Sequence, residues 1–413
     1  MKTKPKMSPF AALKFRNFRL LWIGLLISRI GSEMQVVAVI WQVYLLTGSA
    51  LSLGMIGVAR FLPILFFSLF GGIAADKFDR RKIMFFSQFL MIFVSLVLAF
   101  TTYSGHISPW LIYLLIAGNS ISSAFDTPAR QSLVPSLLPK KYFMNGVGLN
   151  TIMWQTAIVL GPSMAGFIIA YAGVGSVYLI NIFSFIGVII ALIMMKTSGR
   201  VVGKTVNFSL ASLQEGLSFV KSTPIIFSTM LLDFFATFFA SATVLLPIFA
   251  KDILAVGPQG LGFLYAAPSF GAVIAGIIFS SLGHLKNQGK ILIVSVSLYG
   301  AATILFGLSR SFYLSLFFLA LIGAGDVVSS IIRNTMRQLS TPDHLRGRMV
   351  SVNMLFFYGG PQLGEAEAGL AAAFLGAPLS VVLGGAGTIF ATIVLALLIP
   401  QLRKYRGHDL QAG

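Results

Sequence analysis

The 413 residues contain no cysteine, which excludes a disulfide framework, a thiolate metal site and a cysteine nucleophile. Histidine is nearly as scarce. There are four, with no HExxH pattern and no close pair, so a histidine metal centre has no basis. No GxxxxGK[ST] phosphate loop occurs, which argues against an ATP-driven pump, and no Ser/His/Asp set or nucleotide fold supports an enzyme. Charge is thin throughout: Asp, Glu, Lys and Arg make up 10% of the chain, against roughly 25% in ordinary soluble proteins. Acids are the rarer sign, 12 against 30 basic residues, for a net charge of +18. A nucleic-acid footprint would need a soluble domain to carry it, and no loop is long enough.

What is present is apolar. Hydrophobic residues make up 56% of the chain and the mean hydropathy is +0.88, so most of the solvent is lipid. A window of about 19 residues finds apolar segments near 18–46, 51–74, 83–103, 109–129, 145–171 and 175–195, then near 224–250, 259–282, 291–308, 312–334, 348–373 and 377–399. Runs this long predict twelve transmembrane helices. A membrane barrel would show alternating segments of about 10 residues instead. The basic N-terminus runs into an apolar stretch with no small-residue cleavage site, which reads as a retained first helix.

Basic residues fall on one side of this topology. The even-count side holds 26 of the 30, among them Lys77, Arg80, Arg81 and Lys82; Lys251 and Arg310 lie opposite, and Arg29 and Arg60 inside spans. Both termini are therefore expected in the cytoplasm of a bacterial-type inner membrane, with the charge facing anionic lipid.

The longest polar stretch, 196–223, divides the spans six and six. The expected organisation is an N-terminal bundle over 1–195, a cytoplasmic linker over 196–223, a C-terminal bundle over 224–400 and a cytoplasmic tail over 401–413. Sliding the chain by 203 residues superposes Arg130 on Arg333, Pro139 on Pro342, Asn150 on Asn353, Gly161 on Gly364 and Gly166 on Gly369. Six helices per half is an even number, so the repeat is parallel.

One stretch stands out against the low charge: GGIAADKFDRRKIM, 71–84, packs six charges into positions 76–82 between the second and third spans. Its Gly72, Asp76, Lys77, Arg80 and Arg81 resemble the signature loop of the major facilitator superfamily, with Asp79 where that family often has Gly. GPSMAG at 161–166 looks like part of the Gly-Pro motif of major facilitator exporters. The segments FRNFRLLW, WQVYLLTGSALSLG, DTPARQSLVPSLLP and LLDFFATFFASATVLLPIFAKDIL extend the likeness over nearly the whole chain, to the branch containing enterobactin exporters and macrolide-efflux proteins. The second-half counterpart of the loop, GHLKNQGK at 283–290, keeps little of the pattern.

The resemblance implies two six-helix bundles with a substrate site between them, and a cytoplasmic gate. Gly72 would let helices approach there, and Asp76 would accept hydrogen bonds as a latch that breaks in each cycle. For Arg80, Arg81 and Lys82 the positive-inside rule is an equal account. Gly161 and Pro162 would bend the fifth helix and Gly166 pack it closely, although plain packing explains them as well.

Acids within spans cost about 2.5–3.5 kcal/mol each on insertion scales, so each is a functional candidate. They are Glu33, Asp126, Asp233, Asp326, Glu365 and Glu367. In the family, spans 1, 4, 7 and 10 line the cavity, and Glu33, Asp126, Asp233 and Asp326 fall one to each. Glu33, Asp233 and Asp326 are the candidates for proton or substrate coupling, because desolvation favours a carboxylate's protonated form. Arg29, four residues before Glu33, is its candidate ion-pair partner. Asp126 and Arg130 read as a structural or gate pair, with Arg333 the repeat equivalent of Arg130. Glu365 and Glu367, two apart, point roughly 200° from each other. Arg60 has no assigned role, and an acid of span 11 is its candidate partner from the family fold. Trp22, Trp41, Tyr44 and Trp154 are weak candidates for a substrate surface.

The sequence thus predicts a secondary transporter working by alternating access as a single chain. Its most favoured activity is proton-coupled export of a lipophilic drug, macrolide-like compound or siderophore, with no cofactor. A facilitator or importer of a small nutrient uses the same fold, and a non-transporting receptor is the remaining class.

Overall fold

A computed structural model describes residues 8, 10–196, 210–282, 286–342 and 345–406. Lys2, Lys4, Lys6, Arg200 and Lys204, residues 197–209 of the expected linker, the start of the 283–290 stretch and residues 407–413 of the tail lie outside the described residues. Among those described the chain is helical with no strand.

The first six long helices are α1 (Arg16–Thr47), α2 (Ala50–Lys77), α3 (Arg80–Tyr103), α4 (Pro109–Ser136), α5 (Phe143–Ala172) and α6 (Val174–Met194). A shorter α7 (Leu210–Ser222) follows. It turns the second part of the expected linker into a helix with Val220 buried, and Arg348 donates to Glu215 on its exposed face. Then come α8 (Pro224–Phe239), α9 (Gly257–Ser281), α10 (Gln288–Leu308), α11 (Phe312–Leu339), α12 (Arg346–Leu375), α13 (Ala377–Leu398) and a final turn, α14 (Pro400–Lys404). Among the described residues ten segments are long and apolar enough to cross a membrane. The two other long helices, α4 and α12, occupy the places of the expected fourth and eleventh spans. They are 28 and 30 residues long, enough for about 40 Å of rise, and the acids and arginines they carry lower their apolarity.

The seventh apolar stretch is not one helix. After α8 the chain passes through a 3-10 turn at Ala242–Leu245, a short turn at Leu246–Ile248 and a π-turn at Phe249–Ile253. Pro247 supplies no N–H, so regular pairing cannot run through it.

Helix ends follow local chemistry. Asp79 caps α3 by accepting from the Arg81 N–H at 2.9 Å, and Ser108 caps α4 ahead of Pro109. At the other end, α5 stops at Gly173 (φ 79°) and α12 at Gly376 (φ 82°), a left-handed conformation that glycine adopts without a Cβ clash. These two glycines are again 203 residues apart. The repeat is therefore carried in the caps as well as in the aligned residues.

The chain divides into two compact units, Met1–Gln42 with Leu62–Asn207, and Val43–Phe61 with Phe208–Gly413. The first clusters Phe18, Leu21, Met84, Leu133, Leu149 and Leu192; the second clusters Leu232, Val296, Ile332, Met336 and Leu395. In both, the third long helix of the half packs on the fourth and sixth. The outward stripe of α3, Phe86, Phe89, Phe93, Leu96 and Phe100, is exposed at helical spacing, a surface suited to lipid rather than to water.

Candidate functional site

In the second unit the charges converge around Asp233 of α8, which is buried. Arg333 of α11 lies 3.1 Å from its Oδ1 and Arg337, one turn on, donates to its Oδ2 at 3.3 Å. Arg333 also reaches Asp326 at 3.4 Å and donates to Ser330 at 2.8 Å, while Arg337 donates to Asn353 of α12. Arg333 is 2% exposed, yet the Asp326 carboxylate facing it is half exposed. Two arginines thus balance two aspartates. Asp233 is enclosed by cations on both oxygens, and Asp326 has one cation and an open side.

This grouping rearranges the residues singled out in the sequence. Arg333, the repeat partner of Arg130, is spatially a member of the Asp233–Asp326 centre rather than of a loop-side pair. Arg337 and Asn353 complete that centre, and neither was a candidate; Asn353 had appeared only as one of the repeat identities.

The first unit carries the counterpart pair. Asp126, buried on α4, accepts from Gln88 of α3 at 3.1 Å and lies 3.7 Å from Arg130 one turn along. Glu33 and Arg29 lie one turn apart on α1, half-buried. The Arg29 guanidinium stands 3.7 Å above the Trp154 ring of α5, a cation–π contact. Gly161 of α5 faces Glu33 directly: a Cβ there would come within 3.0 Å of the Ile30 carbonyl and against the Glu33 Cβ. In the second unit, a Cβ on Gly364 would likewise meet the Phe238 carbonyl of α8. The glycine of the fifth helix thus seats against the first helix of its half in both units. Pro162 and Gly166 are buried within α5, which remains one continuous helix.

At the signature loop, the arginines act as helix caps. Arg80 donates to the carbonyls of Ala75 (3.3 Å) and Ser132 (3.1 Å), and Arg81 to that of Leu192. The Ala75 and Leu192 carbonyls sit in the last turns of α2 and α6, where they have no helical partner and where the helix dipole is negative, and Ser132 lies near the end of α4. Asp76 is half-buried and makes no hydrogen bond or ion pair among the described residues; Lys77 is exposed at the end of α2. The glycine that lets helices approach is Gly71, whose added Cβ would run into the Ala124 carbonyl of α4. Beside Gly72 there is nothing within 4 Å. The expected close packing therefore lies one residue earlier than the motif places it.

A neutral network also went unread in the sequence. Gln35 of α1 accepts from Ser95 (2.8 Å) and Asn181 (2.7 Å), and Gln42 accepts from Tyr178 (2.6 Å) and donates to Thr102 (2.9 Å). Spacing gives no sign of it, since its members come from α1, α3 and α6. Of the aromatic candidates, Trp22 donates to the Leu149 carbonyl at 3.1 Å, Trp41 is buried, and Tyr44 donates to Asp252 beneath Lys251. Among the described residues no three carboxylate or histidine side chains converge as a metal cage would require.

Long apolar helices with ion pairs buried among them, in a fold shared with known transporters, define a multi-pass membrane transporter. The chain matches the family described as "Transmembrane secretion effector" over residues 7–412 and belongs to it, within the major facilitator superfamily, a superfamily of transporters rather than enzymes. It is 22% identical to macrolide efflux protein A of Streptococcus pyogenes over 411 residues, which cover 96% of this chain and 100% of that protein. It is 26% identical to the enterobactin exporter EntS of Shigella boydii, covering 94% and 93%. Among solved structures, a bacterial homologue of the iron transporter ferroportin in an inward-facing state superposes with a TM-score of 0.70 at 17% identity, over 92% and 98% of the two chains. A POT family transporter superposes with a TM-score of 0.75 at 13% identity, over 94% and 96%. At these identities the structural likenesses establish the fold.

Proposed function

We propose that the chain exports a lipophilic drug, macrolide-like compound or siderophore in exchange for protons, by alternating access, as a single chain of twelve spans in the inner membrane with both termini in the cytoplasm. The observation that carries this reading is the Asp233–Arg333–Arg337–Asp326 centre. An ionised cluster is expensive to hold among apolar helices and contributes little to stability over an apolar core, so its retention fits a working role. The two relatives, a macrolide efflux protein and an enterobactin exporter, supply the substrate classes.

Within the centre the two aspartates divide the work. Asp233 holds both arginines, so neutralising it would leave two buried cations facing only the half-exposed Asp326. Asp326 faces Arg333 on one side and is open on the other, so it can take and release a proton while the Asp233 bridges stay intact. Asp326 is the proton carrier in this reading, and Asp233 the anchor that positions Arg333. Glu33 and Arg29, against Gly161, are the first-unit groups for coupling or substrate, and Asp126–Arg130 with the 72–81 loop forms the cytoplasmic gate.

Everted membrane vesicles holding an imposed pH gradient test this directly. Adding erythromycin, enterobactin or a cationic dye should collapse the gradient for at least one compound, and Asp326→Asn should abolish that response while leaving the protein monodisperse in detergent. Full coupling in Asp326→Asn would remove the residue from the role. Compound-dependent flux without proton movement would favour a facilitator.

A further inference from the structure

The second unit contains another polar cluster, remote in sequence from Asp233 and unused by the reading above. Residues 50–61 of α2 lie antiparallel on residues 359–369 of α12, along a seam of small residues. A Cβ on Gly54 would approach the Gly369 Cα to 3.0 Å and the Glu365 carbonyl to 3.2 Å. One on Gly57 would meet the Glu365 Cβ at 2.8 Å and the Gln362 carbonyl closer still. With no side chain in between, Arg60 at the next turn of α2 reaches Glu365, its Nη1 lying 3.5 Å from Oε1; the two side chains are 18% and 14% exposed. Tyr265 of α9 lies within the field of both charges.

Three oxygens here are buried with no hydrogen-bond partner among the described residues: Glu365 Oε2, Gln362 Oε1 and the Tyr265 hydroxyl. With Glu365 ionised, Glu365 Oε2 and Gln362 Oε1 can only accept, and neither has a donor. A bare acceptor is costly in a buried site. A hydrogen added to Glu365 Oε2 would turn one of these bare acceptors into a neutral hydroxyl and remove the carboxylate charge.

We propose that Glu365, with Arg60, Gln362 and Tyr265, forms a proton-binding site separate from the Asp233–Asp326 centre, and that proton binding there loosens the α2–α12 seam. The proton comes from water and binds Oε2, and Arg60 keeps its charge. The site's net charge thus rises by one and the Arg60–Glu365 attraction is lost. Among the described residues Arg60 is the only charged group acting on Glu365, Tyr265 is the titratable group facing it from α9, and Glu367 points away around α12. The inference takes its purpose from the proton-coupled reading, but the site itself needs no transported compound.

The absence of cysteine makes the test direct. Leu53→Cys, fully buried on α2 beside the seam, is labelled with N-ethylmaleimide in detergent, and its rate is divided by that of Leu51→Cys, which is 44% exposed, to remove the thiol's own pH dependence. The ratio should rise severalfold as the pH is lowered from about 8 to about 5. In Glu365→Gln it should be high and independent of pH, and Tyr265→Phe should shift the midpoint. A flat ratio in the parent, or an unchanged pH dependence in Glu365→Gln, would overturn the proposal. If Glu365→Gln does not purify as a folded species, an unmoved midpoint in Tyr265→Phe overturns it instead. A pH-dependent ratio in a protein that moves no protons in vesicles would retain this site and remove the antiport reading.

Discussion

Asp233 illustrates how little a residue's sequence position says about its cost of removal. Its side chain is 9% exposed and carries two arginines of similar burial, Arg333 at 2% and Arg337 at 4%. Removing one partner of a buried ion pair typically costs roughly 3–5 kcal/mol, because the charge left behind stays desolvated. Asp233→Asn should therefore lower thermal stability in detergent, whereas Asp326→Asn, at the half-exposed rim, should cost far less. The double variant Asp233→Asn/Arg337→Gln should lose clearly less than the sum of its singles. Additive losses in a melting assay would contradict the shared bridge. The i,i+4 spacing of Asp126 and Arg130 was visible in the sequence because one helical turn brings such residues together. The Asp233 pairs were not, since 100 and 104 residues separate the partners and only packing of α8 on α11 closes that distance.

At the scale of the helix, glycine decides how near two backbones come. Gly71 and Gly72 are neighbours in the loop motif, yet only Gly71 abuts another helix. Gly71→Ala should destabilise by about 1–3 kcal/mol, the usual cost of forcing a methyl group into a packed contact. Gly72→Ala should be silent. Equal effects of the two on melting would refute the close approach at Ala124. Gly161 belongs to the same class, and its repeat equivalent Gly364 shows that the contact is a property of the fold. A motif read from sequence marks the region, because charge runs and glycine pairs are rare in an apolar chain. The helix face is settled by rotation about the axis, about 100° per residue, and adjacent glycines face different neighbours.

For the molecule as a whole, the charge asymmetry makes a topological prediction. His106→Cys, in the exposed turn after α3, and Lys404→Cys, exposed near the end of α14, can each be the only thiol in the chain. A membrane-impermeant maleimide applied to intact cells should label the first and spare the second. The reverse pattern would invert the orientation. The sequence alone determined the solvent of this protein, its helical class and its doubling, because hydropathy, run length and a repeat offset are properties of the linear chain and need no partner to be expressed. It also marked the intramembrane acids as candidates, since each such charge is costly wherever it ends up. Tertiary structure decided which charges meet. It pairs Arg60 with Glu365, gathers Arg333 with Asp233 and Asp326, and turns Arg80 and Arg81 toward the carbonyl ends of three helices. The Arg60–Glu365, Arg333–Asp233, Arg80–Ser132 and Arg81–Leu192 contacts join segments 52 or more residues apart, and their geometry depends on helix rotation and crossing, which side-chain packing fixes only when the helices are assembled.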